Sequence, residues 1–312
     1  MARSSTPGRA VARAKPASSR IASPARLSPG MACDTAFRII ARRHLDAVIG
    51  QHEATCGGDA DALHQIRIAL THLRAVIRFF SPMVDDAERP VVWAGLKWLN
   101  GQLGTVRDLD VAIERMEAAS EGVPSAAAEL ETWHRKRAQS HRLLSRALQS
   151  ARYRRSIELT SNWIESGPWS TRRSKQAIRL RASTLAEHAV QRLGRWEKTL
   201  LKKSRKLEEM SAEKRHGLRL LNKRLTYTIE SLEDLFSDKS LVGQMAALKL
   251  LRKAQRCLGQ LNDDARGRAL AGSLHGDEKA SFHFLGRKRE KQLLRSAAAA
   301  YRKLDEAKLF RA

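Results

Sequence analysis

Apolar residues recur at intervals of three and four positions from Asp34 onward, and no segment alternates apolar and polar residues between hairpin turns. This spacing is typical of helices that bury one face. Prolines in this part occur only at breaks or first turns between the apolar patterns: Pro82, Pro90, Pro124 and Pro168. Residues 169–312 contain none, and because proline disrupts helix interiors, long helices are permitted there. We therefore predict an all-α fold with roughly ten helices.

Residues 1–33 differ in composition from the rest of the chain. They contain six basic residues, no acidic residue and four of the eight prolines, with Ser and Ala between them. Such a segment cannot bury a hydrophobic core, so we predict a disordered basic tail. Two roles stay open for this tail: it helps to hold a polyanion, or it is a leader without function. The remaining residues, 34–312, are predicted to form one domain.

The charge balance predicts the kind of partner. The sequence has 58 Lys and Arg against 33 Asp and Glu, a formal net charge of +25, which indicates a polyanionic partner without identifying it. The three cysteines are scattered and lack the spacing of a zinc site or a disulfide framework. No run approaches the roughly 18 apolar residues of a membrane span. We expect a soluble, cytoplasmic protein without metal or cofactor, and the sequence does not predict its oligomeric state.

Two pairs of segments repeat in the same order. "HQIRI" at residues 64–68 recurs as "HGLRL" at 216–220, an offset of 152 positions. "LGTVRDLD" at residues 103–110 matches "LGQLNDDA" at 258–265, an offset of 155 positions. Ordered pairs at nearly equal offsets indicate a duplicated helical module. We predict two helical halves, about 34–160 and 174–312.

A basic stripe occupies one face of the first repeated helix. At 100° per residue, five polar residues fall within an arc of about 80°: His64, Arg67, Thr71, Arg74 and Arg78. In the second copy the same arc holds His216, Arg219, Lys223 and Thr226, with Glu230 at its far end. Large apolar residues border both stripes on both sides, which indicates an interior groove rather than a solvated outer face. Cations crowded there are costly to desolvate, so we predict that the groove binds an anion.

Alternatives to this interpretation stay open. Most charge runs solvate an outer face, and the two histidines can be hydrogen-bonded residues at helix starts. Gly104 can end a helix, and the Thr-x-x-Asp pattern after it resembles a capping box, so we expect a helix boundary there. Arg107 can pair with acidic groups and also face the ligand. Trp93 and Trp98, at helical spacing, are assigned to the core.

These residues resemble the CHAD family, the conserved histidine α-helical domain. The first half resembles its leading signature through the basic stripe and "LKWLNGQLGTVRDLDV", and the second half its later signature through "HGLRLLNKRLTYTIE" and "LGQLNDD". The segments "RSIELTSNWIESGPW" and "RLGRWEKTLLKKSRKLEEMSAEKRH" are similar to the linking segments of the family, and "AAAAYRKLDEAKLF" to its closing helix. The resemblance covers roughly residues 34–312.

The resemblance implies two pseudo-symmetric helical bundles around a basic channel that binds inorganic polyphosphate. The implied contacts in the first half are His64, Arg67, Arg74, Arg78, Lys97 and Arg107. Those in the second half are His216, Arg219, Lys223 and Arg224, with Arg195, Lys198, Lys202 and Lys203 from the linking helix. Relatives commonly carry Arg or Lys where this chain has Thr71, His72 and Thr226. These differences put the affinity for polyphosphate in question more than the resemblance to the family.

Three classes of function are compatible with these patterns. The first is non-catalytic polyphosphate binding, associated with polyphosphate granules. The second is nonspecific DNA or RNA binding, against which stand the 5% aromatic content and the lack of nucleic-acid-binding signatures. The third is an enzyme, or an accessory factor of one, acting on polyphosphate or triphosphate. No phosphate-binding loop is present, and the acidic pairs near the repeats are Asp108 with Asp110 and Asp263 with Asp264. We favour the first class and predict no catalysis, with weak nonspecific nucleic-acid binding beside it.

Overall fold

The computed structural model describes residues 26–119, 127–235, 238–275 and 285–307. These ranges contain eleven α-helices, a few short 3₁₀ turns and no β-strand. The helices are α1 (Cys33–Gly50), α2 (His52–Cys56), α3 (Ala60–Phe79), α4 (Arg89–Ala119), α5 (Ala127–Gln149), α6 (Ala151–Ser166), α7 (Lys175–Ala182), α8 (Leu185–Ser204), α9 (Ala212–Ser231), α10 (Asp238–His275) and α11 (Arg287–Ala307). The predicted all-α fold is confirmed.

Side-chain caps fix the starts of the helices that carry the basic residues. Asp59 accepts hydrogen bonds from the Asp61 and Ala62 amides at the start of α3. Ser211 accepts one from the Lys214 amide at the start of α9. Thr184 forms a reciprocal capping box with a glutamate in the first turn of α8. Such caps satisfy amides that have no partner inside the helix, each contributing about 1 kcal/mol.

The apolar faces of α3 and α9 belong to one hydrophobic core. On α3 the predicted apolar face is almost completely buried: Leu63, Ile66, Leu70, Leu73 and Ile77. On α9 the buried residues include Leu218, Leu225 and Ile229. Fully burying such a side chain contributes about 1.5–3 kcal/mol. The continuous cluster extends along the chain from Leu27 to Leu304, so the two predicted halves share a core.

The helices α3 and α9 lie at the centre of the packing. The helix α3 contacts α1, α4 and α9, and α9 contacts α3, α8 and α10. A further contact joins α4 to α10, and α11 packs along α10. The two helices that carry the basic stripes are therefore direct neighbours. The internal duplication and its pseudo-symmetry stay predictions.

The residues just before α1 contact the segment where α8 begins. Residues 1–25 lie outside the described residues, but Leu27 is buried, and the Met31 carbonyl accepts a hydrogen bond of 2.8 Å from the Leu185 amide. The Cys33 amide donates to the Ser183 carbonyl at 3.0 Å. These backbone contacts join the residues just before α1 to the start of α8, and the tail boundary at residue 33 stays a prediction.

The expected helix boundary near Gly104 is wrong. The helix α4 runs without interruption from Arg89 to Ala119. The side chain of Asp108 pairs with Arg266 on α10 instead of capping a helix. A Cβ atom at position 104 would lie 3.3 Å from Nη1 of Arg67, so glycine permits a close approach of that guanidinium to α4. Tertiary packing against α3 explains this glycine.

Candidate anion-binding groove

Two adjoining cavities lie where α3, α4, α8 and α9 meet. The larger, of about 420 Å³, is lined by Arg78, Ser81, Arg89, Pro90, Trp93, Arg192, Trp196 and Arg224. The smaller, of about 150 Å³, is lined by Thr71, Arg74, Ala75, Arg78, Trp93, Leu220, Lys223 and Arg224. Together they form what we call the basic groove. Six of its lining side chains are cationic and none is acidic.

Each of the four helices contributes cations to the basic groove. Arg74 and Arg78 lie one turn apart on α3, and Lys223 and Arg224 are consecutive on α9. Arg89 begins α4 and pairs with Asp85 at 2.5 Å. On α8, Arg192 donates hydrogen bonds to the Arg78 carbonyl (3.1 Å) and the Ser81 hydroxyl (2.7 Å). The last two bonds tie α8 to the end of α3 and fix that guanidinium at the wall of the cavity.

Two tryptophan rings support the guanidinium groups. Arg74 and Arg78 lie over Trp93, with their Cζ atoms 5.0 and 4.6 Å from the ring centroid. Arg192 and Arg224 lie over Trp196, both at 5.3 Å. Cation–π contacts of this kind attract each cation to the ring face. They orient the arginines without neutralising their charge.

Trp93 contacts the core, as predicted, and also the basic groove. Trp93 packs against the core but is half-buried, and its ring lines the basic groove. Trp98 also packs against the core, and its ring lies 4.5 Å from Cζ of Arg152, outside the lining of the groove. The helical spacing predicted which side of α4 is buried. It did not predict that a large ring at the border of that side can contact both the core and a cavity.

Burial and mutual repulsion act on the groove cations. Burial lowers the pKa of Arg74 and Arg78, and in each case a neighbouring arginine adds to the effect. The pKa of Arg192 is lowered in the same way. For Arg224, burial followed by the charges of Arg78 and Arg192 lowers the pKa to about 10. These side chains remain cations at neutral pH, and their mutual repulsion destabilises the empty groove.

Several buried guanidinium N–H groups have no hydrogen-bond partner among the described residues. In the groove these are the Nε groups of Arg74, Arg89 and Arg192. Two further guanidinium atoms, outside the groove, also lack partners: Nη1 of Arg67 on α3 and Nε of Arg219 on α9. A buried donor left unsatisfied costs about 1–3 kcal/mol. Each such N–H group therefore adds to the free-energy cost of packing cations in this groove.

Beyond the groove the stripes continue into a second cluster that contains acids. We call this the acid-paired end: Arg67 on α3, Asp108 on α4, Arg219 on α9, and Asp263 and Arg266 on α10. Burial lowers the pKa of Arg67 and Arg219, while Asp108 and Asp263 act in the opposite direction. Arg266 donates to Asp108 Oδ1 at 2.6 Å. Lys223 lies between this end and the groove, and its pKa falls to about 7 through burial and then the charges of Arg219 and Arg67.

The histidines and Arg107 lie outside the basic groove. His64 is exposed, and its pKa is lowered by partial desolvation and by Arg107 and Arg67. Arg107 pairs with Glu114 at 3.0 Å. His216 Nδ1 lies 2.7 Å from the Asn262 side-chain oxygen, and the residue lines a separate cavity of about 980 Å³. His216 thus fits the alternative of a hydrogen-bonded histidine near a helix start, whereas no hydrogen bond of His64 is found among the described residues.

The remaining predicted contacts are exposed. Lys97 is exposed and lies one turn after Trp93 on α4. The four candidates on α8 are also exposed and do not line the groove: Arg195, Lys198, Lys202 and Lys203. Among them Arg195 is near enough to lower the pKa of Arg192. The structure thus brings together Arg67, Arg74, Arg78, Arg219, Lys223 and Arg224, and binding by any of them stays a prediction.

Sequence reasoning missed three groove residues, Arg89, Arg192 and Trp196. Arg192 and Trp196 are one helical turn apart, beside the nominated Arg195, and border the buried face of α8. An arginine and a tryptophan at this spacing next to an apolar face indicate a cation held over a ring, and this pattern could have identified both groove residues. Arg89 stands before a proline in the first turn of α4, and no local pattern distinguishes it from a solvent-exposed arginine.

The positions where this chain lacks a cation differ in their surroundings. Thr71 lines the groove, and its hydroxyl donates to the Arg67 carbonyl at 2.7 Å. Thr226 is buried, and its hydroxyl donates to the Asn222 carbonyl at 2.9 Å. His72 is part of a polar network with the Ser231 hydroxyl, 3.0 Å from its Nδ1. Thr71 is therefore the one of the three at which a cation would enter the groove.

Arginines engage the acidic pairs considered for a metal site. Asp110 pairs with Arg137 at 2.9 Å, and Asp264 with Arg268 at 3.0 Å. Asp108 pairs with Arg266, as described above. Within the described ranges no group of three or more His, Cys, Asp or Glu residues has the arrangement of a metal site. In the same ranges, no helix combines the length and the apolar character needed to cross a membrane.

Comparisons with known proteins concern the family and the fold. The family model of the CHAD domain matches residues 39–272. Among solved structures, the crystal structure of the CHAD domain from the plant Ricinus communis matches with a TM-score of 0.71. The two chains are 23% identical, and the match covers 92% of each. This likeness shows that they share a fold. The search of curated proteins found no match.

Proposed function

The chain belongs to the CHAD family, and from this premise we propose that it binds inorganic polyphosphate in the basic groove without catalysing a reaction. Polyphosphate binding is a general property of this family. In this chain the groove between α3, α4, α8 and α9 is the place best suited to it. We further propose that the protein is cytoplasmic and associates with polyphosphate granules.

The observation that carries the proposal is the lining of the groove. Six cationic side chains from four helices face two adjoining cavities that contain no acidic side chain. Three of these cations bury an N–H group that has no partner among the described residues. A surface built only for solubility would leave such groups in water, where they are hydrated at no cost. The convergence of six cationic side chains on two adjoining cavities supports binding of an anion with several acceptor oxygens.

A phosphate chain matches this lining chemically. Each internal phosphate carries about one negative charge and offers acceptor oxygens, and charge-assisted hydrogen bonds from arginine are about twice as strong as neutral ones. The chain is flexible, so it can follow a lining that curves between helices. Binding releases counterions from the polyanion, as it does for nucleic acids. Because the tryptophan faces are occupied by arginines, they are poorly placed to stack on bases.

The test is a titration with long-chain polyphosphate carrying a fluorescent label, read by anisotropy. Affinity is expected to fall at least fivefold between 50 and 200 mM salt. Unlabelled duplex DNA at the same phosphate concentration should displace little of the bound chain. Salt-insensitive binding, or full displacement by DNA, would contradict the proposal. Phosphate release in the presence of Mg²⁺ or Mn²⁺ would contradict its non-catalytic part.

A further inference from the structure

The cationic side chains between α3 and α9 have opposite surroundings at their two ends. In the basic groove, every charged group that shifts the pKa of the four most central arginines is another arginine: Arg74, Arg78, Arg192 and Arg224. At the acid-paired end, Asp108 acts on Arg67 and Asp263 acts on Arg219. Asp108 and Asp263 therefore act at one end of the row of cations, whereas at the other end Asp85 pairs with Arg89.

Ion pairs between α4 and α10 hold the two carboxylates in place. Asp108 accepts from Arg266, and Asp263 lies 3.8 Å from a guanidinium nitrogen of Arg115. The four side chains border a small cavity between the two helices. Asp108 comes from the first predicted half and Asp263 from the second. Both carboxylates thus lie at the same end of the row.

The position of the two aspartates decides how much of the row a ligand can use. Arg67 and Arg78 are eleven residues apart on α3, which is about 16 Å along the helix. A phosphate chain that enters at Arg78 first meets the lining of the basic groove, which holds no acidic side chain. It then reaches Lys223, on which the charge of Asp263 already acts. Further along, its phosphates approach Asp108 and Asp263, and these carboxylates repel them.

We propose that Asp108 and Asp263 limit the number of phosphate residues that the site accepts. A short stretch of chain fills the basic groove, and a longer stretch is stopped at the acid-paired end. The two aspartates are then specificity-determining residues that favour short bound segments over long ones. This inference rests on the proposed function and adds to it a boundary of the binding site.

The experiment compares the wild type with the double variant Asp108→Asn, Asp263→Asn. Triphosphate and long-chain polyphosphate are titrated at 50 mM salt by calorimetry. The variant is expected to bind the long chain about five- to tenfold more tightly, because its phosphates gain access to Arg67 and Arg219. Its affinity for triphosphate should stay within about twofold. The number of phosphate residues occupied per protein on a saturated long chain should rise.

A matched control removes the same charge elsewhere. Glu165 pairs with Arg42 and Asp234 with Arg43, both away from the groove, so Glu165→Gln with Asp234→Asn should change either affinity by less than about twofold. Partly exposed ion pairs contribute little to stability, so both variants should keep the far-ultraviolet spectrum of the wild type.

Two results would overturn the inference while leaving polyphosphate binding intact. Equal gains for triphosphate and the long chain in the Asp108→Asn, Asp263→Asn variant would show a general charge effect without a boundary. An unchanged or lower affinity for the long chain would show that the carboxylates position the arginines instead of limiting the site. If the wild type binds neither ligand, the proposed function itself fails.

Discussion

Arg78 on α3 and Arg224 on α9 face the same two cavities from the two predicted halves of the chain. Each lies over a different tryptophan ring, and neither pairs with a carboxylate among the described residues. The charge of Arg78 contributes, after burial, to the lowered pKa of Arg224. Because two like charges are held together in a half-buried groove, the empty protein is less stable than the same packing without them. An anion between them removes that repulsion.

The double variant Arg78→Gln, Arg224→Gln should separate binding from stability. We expect polyphosphate affinity to fall at least tenfold, because each lost charge-assisted hydrogen bond contributes about 1.5–3 kcal/mol. The melting temperature of the ligand-free protein should stay the same or rise, since the repulsion between the two cations is lost. Anisotropy titration at 50 mM salt and thermal unfolding by circular dichroism measure the two effects.

The control for this variant is Arg142→Gln with Arg146→Gln. Both residues are exposed on α5, and their removal changes the net charge by the same amount. Polyphosphate affinity should fall less than about threefold, through the long-range field alone. A tenfold loss in the control would mean that binding follows net charge and not the groove.

The variant Trp93→Leu should weaken polyphosphate binding, although the tryptophan itself carries no charge. The ring supports Arg74 and Arg78, and each cation–π contact contributes about 0.5–2 kcal/mol. Without it, both guanidinium groups gain freedom that an anion must then restrict. We expect a three- to tenfold loss of polyphosphate affinity, measured by the same titration.

Trp98→Leu is the matched control for Trp93→Leu. Both tryptophans lie on α4, both are half-buried against the core, and each has an arginine over its ring. The ring of Trp98 does not line the groove, so this variant should lose a similar amount of stability and keep polyphosphate affinity within about twofold. Equal losses of affinity would attribute the effect to α4 as a whole.

Local periodicity explains what could be predicted from the sequence. The apolar residues of α3 repeat at helical spacing, so the all-α fold and the common face of Arg67, Arg74 and Arg78 follow from the residue order alone. The apolar borders of the stripe indicated that the face was not open to water. That inference agrees with the half-buried position of Arg78.

Other parts of the site depend on packing between distant helices and could not be predicted in the same way. On α8 the side turned towards the groove holds Arg192, while Arg195 and Lys198 point outwards, because contacts with α9 select the orientation of the helix. At Gly104 the local signals for a helix end are overridden, since the guanidinium of Arg67 packs against α4 there. Neither the orientation of α8 nor the continuity of α4 at Gly104 can be predicted from the residues within one helical turn.

Lys223 should make the stability of the empty protein depend on pH. Its pKa is about 7 in the folded protein, against 10.5 when unfolded. Between these values the unfolded state binds more protons, so the contribution of Lys223 to the free energy of unfolding becomes more favourable as the pH rises. Wild type should gain at least about 1 kcal/mol relative to Lys223→Met between pH 7 and 9, since one pKa unit corresponds to about 1.4 kcal/mol.

Urea unfolding at both pH values and constant ionic strength measures this difference. Methionine keeps the length of the side chain and removes the titrating group, so the contributions of all other residues cancel in the comparison. Parallel pH dependences of the two proteins would contradict a lowered pKa of Lys223.

Acid should destabilise the protein through His44 and His72. Their rings stack at 4.8 Å, and a nitrogen of each lies within 3.0 Å of the Ser231 hydroxyl. Burial is the main cause that lowers the pKa of His72 to about 4, and burial followed by the charges of His72 and Arg43 lowers that of His44 to about 3.

Because the ordinary pKa of histidine is 6.5, the unfolded state binds more protons below that pH, and stability is lost progressively as the pH falls from 6.5 towards 4. His72→Gln should reduce this loss by at least about 1 kcal/mol between pH 6.5 and 4.5, measured by urea unfolding. His134→Gln, at an exposed histidine beside Glu117, should leave the loss as it is in the wild type. We expect this effect because a buried neutral imidazole cannot be protonated in the folded state without a free-energy cost. If both variants lose stability as steeply as the wild type, the source of acid sensitivity lies outside this pair.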